Sequence, residues 1–71
     1  MEITYSPHAK KRLRERNIHK SEITLVLAKP DSKVYSGRNR IIVNKKFKQH
    51  ILEVIYVIES GKIIIITTYY L

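Results

Sequence analysis

A histidine and two arginines near the start of the chain have the types and spacing of a site that holds phosphate and moves a proton. His8, Arg12 and Arg16 recur every four residues, so they share one face of any helix that spans them. A neutral imidazole serves as a general base or acid, and guanidinium groups bind phosphate oxygens through paired hydrogen bonds. The same spacing also fits a solvated basic face. These three residues are the candidate catalytic residues.

The element that must position them is a helix that begins directly after Ser6. Ser6 is a good N-cap, and Pro7 fits the first helical position, where its missing N–H costs nothing. Asn17 tolerates the left-handed conformation that ends a helix. The only apolar residues between these limits are Ala9 and Leu13. The predicted helix therefore buries a narrow stripe and leaves most of its surface in water.

The remaining elements complete an α+β fold in a single domain that spans residues 1–71. A second helix is expected from Lys20 or Ser21 to Ala28, because Pro30 prevents its continuation. Strands are expected at residues 33–36, 40–44, 50–59 and 62–70, with residues 2–5 as an optional short edge strand. We therefore expect two N-terminal helices packed on a four-stranded, mostly antiparallel twisted sheet.

Ser60 and Gly61 predict a hairpin in which a two-residue turn joins the last two strands and Glu59 lies opposite Lys62. A regular register then places eight residues on the face that packs against the helices: Leu52, Val54, Tyr56, Ile58, Ile63, Ile65, Thr67 and Tyr69. The opposite, mixed face receives Ile51, Glu53, Ile55, Val57, Ile64, Ile66, Thr68 and Tyr70. Left bare, the mixed face would be a large apolar patch, so a partner, a second copy or a folded-over edge is expected to cover it.

The charge of the chain indicates a polyanionic partner. The formal net charge is +8 over 71 residues, and the sequence pI is about 10.0. Such an excess favours nucleic acid, an acidic protein or an anionic surface, although it also serves solubility alone. The residues expected to contact nucleic acid are Lys11, Arg38, Arg40, Lys45, Lys46, Lys48 and Tyr70. Tyr70 is included because an aromatic ring among cations can stack on a base.

Several classes of protein are disfavoured. The chain has no cysteine, which excludes disulfides and thiolate metal sites and is typical of a reducing compartment. No apolar run approaches the roughly 18 residues of a membrane span, so we expect a cytosolic protein that is complete from Met1. His19 and His50 are weaker functional candidates than His8. The three histidines lack metal-ligand spacing, and neither a metal nor another cofactor is expected.

Nearly the whole chain resembles the domain-of-unknown-function family 4258, and the first thirty residues are the most specific part of the resemblance. The residues that carry the resemblance are Tyr5-Ser6-Pro7-His8-Ala9, Arg12-Leu13, Glu15-Arg16-Asn17-Ile18, Glu22-Ile23, Val26-Leu27, Lys29-Pro30-Asp31 and the terminal Ile66-Thr67-Thr68-Tyr69. Asn17 stands where the family usually has glycine. That family is distantly similar to ribonuclease toxins of the RelE and ParE type, whose helices pack on a twisted antiparallel sheet. The resemblance implies functional positions at His8, Arg12, Arg16 and Thr67 or Thr68.

The leading hypothesis is a small RNA-directed protein that resembles the metal-independent endoribonucleases of toxin–antitoxin systems. His8 would be the general base or acid, and the two arginines would hold phosphate. An acidic antitoxin, or self-association, would cover the mixed face of the C-terminal hairpin. The alternatives are a non-catalytic module that binds nucleic acid or an acidic protein, and a dimeric structural domain. The chain offers no evident second acid or base for His8, which favours the binding module.

Overall fold

Two helices and five strands follow one another in the computed structural model, which describes residues 1–71. The helices are α1 (Pro7–Arg16) and α2 (Lys20–Ala28), as the sequence predicts. The strands are β1 (Glu2–Tyr5), β2 (Ser32–Tyr35), β3 (Ile41–Lys46), β4 (Ile51–Glu59) and β5 (Lys62–Tyr70). The expected α+β class is confirmed.

The strands form one mixed sheet in the order β1-β5-β4-β3-β2. Strands β2 to β5 pair in antiparallel fashion, whereas β1 pairs with β5 in parallel. The prediction of a four-stranded sheet is therefore wrong by one strand. Residues 2–5, expected only as an optional edge strand, form the fifth strand because they fill the free edge of β5 before the chain enters α1.

Ser6 joins β1, α1 and β5. Its hydroxyl accepts a hydrogen bond from the Ala9 amide at 3.0 Å and donates one to the Ile66 carbonyl at 2.9 Å. The other end of α1 is Asn17, whose φ of 55° lies in the left-handed region that was predicted for it. Both ends of α1 thus follow from residues adjacent to the helix.

Helix α2 begins with a local hydrogen bond and ends at a connection tied to β3. The His19 amide donates to the Glu22 carboxylate at 3.1 Å, which satisfies one of the free N–H groups at the start of a helix. After the helix, the Lys45 ammonium donates to the Lys29 carbonyl at 3.0 Å, and the Lys46 amide donates to the Asp31 carboxylate at 2.7 Å. These bonds fix the connection between α2 and β2 against β3.

The C-terminal hairpin has the predicted turn but not the predicted register along its whole length. Ser60 and Gly61 have φ values of 52° and 74°, as a type I′ turn requires, and Glu59 pairs with Lys62. Further along, Tyr56 pairs with Ile65, whereas its neighbour Ile55 pairs with Thr67. This leaves Ile66 without a partner in a β-bulge.

The bulge exchanges the faces of the residues that follow it. Thr68 and Tyr70 turn towards the helices, whereas Thr67 and Tyr69 lie on the open face, so the prediction for these four residues is wrong. The face was predicted from an unbroken alternation, and one extra residue reverses the alternation. Thr68 is fully buried, and its hydroxyl donates to the Glu53 carbonyl at 2.8 Å.

The helices cover one face of the sheet and leave the other uncovered. The hydrophobic core between the layers consists of Ala9, Leu13, Ile18, Ile23, Val26, Ile41, Val43, Leu52, Val54, Tyr56 and Ile65. The aliphatic residues of the uncovered face, here called the open face, are Val34, Ile42, Ile51, Ile55, Val57 and Ile64. No part of the chain packs on the open face, so its side chains remain available to another molecule.

Neither helix has the length and apolar character that spanning a membrane would require.

The bulge predicts unequal effects of two adjacent substitutions. Thr68→Ala is expected to lower the free energy of unfolding by about 1–3 kcal/mol, because it removes a buried methyl group and a hydrogen bond to a carbonyl. Thr67→Ala, on the open face, is expected to cost less than about 1 kcal/mol. Urea denaturation of the two variants measures the difference. A larger loss in Thr67→Ala would show that the regular register is correct.

Candidate functional site

His8, Arg12 and Arg16, here called the α1 stripe, lie one turn apart on α1 as predicted. Only part of this stripe is free to bind a ligand. His8 and Arg16 are exposed, and Arg12 is half-buried. The Arg12 guanidinium forms an ion pair with Glu15 at 2.6 Å, and Lys11 lies 3.8 Å from the same carboxylate. Glu15 therefore neutralises part of the stripe, and no carboxylate pairs with His8.

A groove of about 380 Å³ lies between the two helices and presents a second set of cations. Its lining consists of Lys10, Leu13, Arg14, Ile18, His19 and Lys20. Lys10 and Arg14 are one helical turn apart on the side of α1 that faces α2, and Lys20 is the first residue of α2. The Lys20 ammonium also lies 5.0 Å from the centre of the Tyr5 ring, in cation–π geometry.

The cations of this groove form no ion pair, although the Glu22 carboxylate accepts a hydrogen bond from the amide of His19 in the groove lining. Glu15 pairs with Lys11 and Arg12, and the Glu22 carboxylate lies 3.3 Å from His50 Nε2, a contact that is an ion pair only when the imidazole is protonated. The remaining ion pairs of the chain are Lys45–Asp31 and Lys62–Glu2. Lys10, Arg14 and Lys20 form none, so the groove is the strongest cluster of unpaired positive charge on the helices.

The basic residues between positions 38 and 48 do not form one patch. Arg38 and Arg40 lie at the turn between β2 and β3, whereas Lys46 and Lys48 lie at the opposite end of β3, about 20 Å away at 3.3 Å per strand residue. Lys45 is 21% exposed and is occupied by its bonds to the connection between the helices and the sheet. The two ends of β3 therefore belong to different surfaces.

His50 lies at the Lys46–Lys48 end of the sheet in a cluster that joins α2 to the C-terminal hairpin. Its Nε2 atom is 3.3 Å from the Glu22 carboxylate. The Tyr70 ring meets the imidazole edge-on at 4.4 Å between ring centres, and the Phe47 ring lies 5.5 Å away. Tyr70 was predicted to stack on a base from the mixed face, but it lies on the helix side because of the bulge. Burial, and secondarily the Glu22 charge, raise the pKa of Tyr70.

A polar cluster lies among the aliphatic residues of the open face. The Tyr69 hydroxyl donates to the Glu53 carboxylate, and the side-chain amide of Asn44 donates to the other carboxylate oxygen at 3.3 Å. The hydrogen bond to Glu53, followed by burial and the carboxylate charge, raises the pKa of Tyr69 to about 12. Tyr69 is therefore a hydrogen-bond donor at neutral pH and a poor general base.

An exposed tyrosine at the far edge of the sheet lies beside a second groove. Tyr35 is 72% exposed at the end of β2, which no helix covers. The groove beside it has a volume of about 360 Å³ and is lined by Tyr35, Ser36, Asn39, Arg40, Ile41 and Ile58. The Lys33 ammonium lies 5.7 Å from the centre of the Tyr35 ring. Arg40 thus lies next to an accessible aromatic ring.

No three histidine or carboxylate side chains lie close enough together to hold a metal ion.

Comparison with known proteins gives a family but no activity. The family model described as "Domain of unknown function (DUF4258)" matches residues 5–70. The chain belongs to this family. No curated protein and no solved structure is significantly similar to it. Membership in DUF4258 confirms the resemblance that was based on the first thirty residues and the last strand, whereas similarity to RelE- and ParE-type toxins is not shown.

The sequence did not predict most residues of the groove between the helices. It also did not predict that Glu22 is the partner of His50. Lys10 and Arg14 have the same four-residue spacing as the His8 stripe, so the signal for the groove was present on the neighbouring side of α1. Glu22 and His50 are 28 residues apart in sequence. Nothing in their local sequence indicates that they meet.

The Glu53–Tyr69 hydrogen bond predicts an unusual tyrosine titration. At about pH 11 ordinary tyrosines, with pKa values near 10, are mostly ionised, whereas Tyr69 is expected to keep its proton. Tyr69→Phe should therefore remove little phenolate absorbance from the wild-type protein at this pH. In a Glu53→Gln background the same change should remove nearly one full tyrosine equivalent, because the carboxylate no longer raises the pKa.

The matched control for this titration is Glu59→Gln, which removes an exposed carboxylate from the same strand. Because the proton is held more tightly in the folded state, the stabilisation by this bond is complete below about pH 10 and disappears as the pH rises through about 12. A full tyrosine equivalent lost from the wild-type protein at pH 11 would contradict the hydrogen bond.

Proposed function

We propose that this protein binds RNA through the phosphate backbone, and that the groove between α1 and α2 is its principal contact. The observation that supports the proposal is the set of unpaired cations at the groove, Lys10, Arg14 and Lys20, in a chain of net charge +8. Lysine and arginine contacts to phosphate provide most of the affinity of sequence-independent nucleic-acid binding. Leu13 and Ile18 give the groove an apolar floor on which a sugar or base can rest.

The exposed residues of the α1 stripe extend this surface. His8 and Arg16 lie on the same helix as Lys10 and Arg14, so a strand of RNA that follows α1 would meet both sets of side chains. Lys46 lies beside the connection that follows α2, where its amide is bonded to Asp31, and Lys48 lies in the turn after β3, whereas Arg38 and Arg40 are at the far end of that strand. The helical layer is thus the proposed binding side of the molecule.

Metal-independent RNA cleavage is the second candidate function, and it corresponds to the toxin-type hypothesis. It is favoured by the exposure of His8 beside the cations of α1, since a histidine next to bound phosphate can transfer a proton. If His8 is the general base or acid, cleavage by the purified protein persists in a chelator and disappears in His8→Ala. Retention of cleavage in that variant would exclude His8 from the chemistry.

Paired substitutions that remove equal charge test the binding surface. Lys10→Gln with Arg14→Gln is expected to weaken binding to single-stranded RNA by about tenfold. The dependence of log affinity on log salt concentration should become shallower by about 1.4, because each lost phosphate contact contributes about 0.7. Fluorescence anisotropy with 2′-O-methyl RNA measures both quantities without cleavage.

Two further variants are the matched controls. Arg12→Gln with Arg16→Gln removes the same charge from the stripe, and Arg38→Gln with Arg40→Gln removes it from the distant turn. Both are expected to weaken binding less than the groove variant. Equal losses in all three would show that affinity follows net charge alone, and a wild-type protein without measurable RNA affinity would exclude the function.

We also propose an acidic protein, such as an antitoxin, as the partner that covers the open face. The aliphatic residues of that face would leave water on binding, and the net charge of +8 favours an acidic partner over a second copy of the same basic chain. Sedimentation should therefore find the purified protein as a monomer. A dimer that persists in high salt would show that a second copy covers the face instead.

A further inference from the structure

The His50 cluster has a geometry that RNA binding does not require. Glu22 is held at both carboxylate oxygens: one accepts from the His19 amide at 3.1 Å, and the other lies 3.3 Å from His50 Nε2. The rings of Phe47 and Tyr70 border the imidazole at 5.5 and 4.4 Å between ring centres. Its neighbours therefore orient the ring of His50, in contrast to the exposed ring of His8.

One nitrogen of this imidazole remains accessible. The proximity of Nε2 to the carboxylate favours the tautomer with its proton on Nε2, which leaves the lone pair on Nδ1. Nδ1 has no hydrogen-bond partner within the protein. Every buried polar side-chain atom does have a partner, so Nδ1 is not buried. Nδ1 therefore contacts solvent, in agreement with a His50 side chain that is 34% exposed.

The turn that ends at His50 also carries exposed lysine side chains, although Lys46, which pairs with Ile51, points towards the open face. His50 closes the four-residue turn 47–50 through the bond from the Phe47 amide to its carbonyl at 2.7 Å. Lys48 lies within the same turn, and Lys46 directly precedes it. Both lysines are exposed and form no ion pair. Lys48, two residues before His50, is therefore the cation of this turn that is available to a phosphate group.

We infer that His50, oriented by Glu22, is the general base of an RNA-cleaving site at the turn between β3 and β4. The inference rests on the proposed RNA binding and extends it to a reaction. His50 Nδ1 would remove the proton from a ribose 2′-hydroxyl, and the 2′-oxygen would form a bond to the adjacent phosphorus. The bond from phosphorus to the 5′-oxygen would break.

The products are a 2′,3′-cyclic phosphate and a 5′-hydroxyl. The departing 5′-oxygen takes a proton from water, and the imidazolium returns its proton to water, so the reaction needs no further reactant. Glu22 acts through His50 and is a positioning residue. Burial and the Glu22 charge raise the pKa of Tyr70, so its neutral ring forms a wall of the site.

The experiment separates binding from cleavage. Binding is measured with 2′-O-methyl RNA, which lacks the attacking hydroxyl. Cleavage is measured in EDTA with an end-labelled pool of random-sequence single-stranded RNA, under single-turnover conditions with protein in excess. His50→Gln is expected to keep the affinity and to lose at least about 100-fold in cleavage rate, the usual contribution of a general base. Added imidazole should restore cleavage in His50→Ala.

Glu22→Gln tests whether Glu22 orients the imidazole of His50 for the reaction. The glutamine oxygen can still accept the His19 amide bond, so α2 keeps its N-terminal hydrogen bond. Cleavage of bound RNA should slow by at least about tenfold with little change in affinity, because an amide no longer stabilises the imidazolium. Circular dichroism confirms folding of each variant, and Glu59→Gln, purified in parallel, controls for contaminating nuclease.

The outcomes distinguish the two proposals. A wild-type protein that binds RNA without cleaving it overturns the His50 site and leaves RNA binding intact. Cleavage that survives in His50→Gln, or that disappears only in His8→Ala, also overturns the site. A protein that does not bind RNA overturns both proposals. Loss of cleavage in His50→Gln together with rescue of His50→Ala by imidazole supports the site.

Discussion

The hydrogen bonds of Ser6 to β5 are the constraint on which the rest of the structure depends. The Ser6 amide donates to the Ile65 carbonyl at 3.0 Å, and its hydroxyl bridges the Ile66 carbonyl and the first turn of α1. One residue thus ends the parallel pairing of β1, starts α1 and holds the helix at the bulge in β5. Because both ends of α1 are fixed, its side chains have defined directions, with Lys10 and Arg14 towards α2.

The bulge has a second effect at the far end of the same strand. By turning Tyr70 towards the helices, it places an aromatic ring against His50. A hairpin in regular register would have placed Tyr69 there and Tyr70 on the open face. The site at the turn between β3 and β4 and the polar cluster of Glu53 and Tyr69 therefore both depend on one extra residue in a nine-residue strand.

The features that sequence could predict are those determined by near neighbours. Ser6, Pro7 and Asn17 define α1, and Ser60 with Gly61 defines the hairpin turn. The bulge was not predictable from pattern, because residues 63–66 are all isoleucine and suit either face equally. The pairing of Glu22 with His50 and the separation of the basic residues along β3 depend on tertiary placement. The His8 stripe was predicted as a helical face, but its partial neutralisation by Glu15 depends on side-chain conformation.

The turn between β2 and β3 shows a conflict between folding and charge. Arg38 and Asn39 have φ values of 64° and 61°, and the Ser36 amide donates to the Arg40 carbonyl at 2.8 Å. Asparagine adopts this left-handed conformation readily, whereas for arginine it costs about 1 kcal/mol or more. Glycine at position 38 would relieve that cost but remove a guanidinium group. Selection for heat resistance and selection for a basic surface would therefore act in opposite directions at this one position.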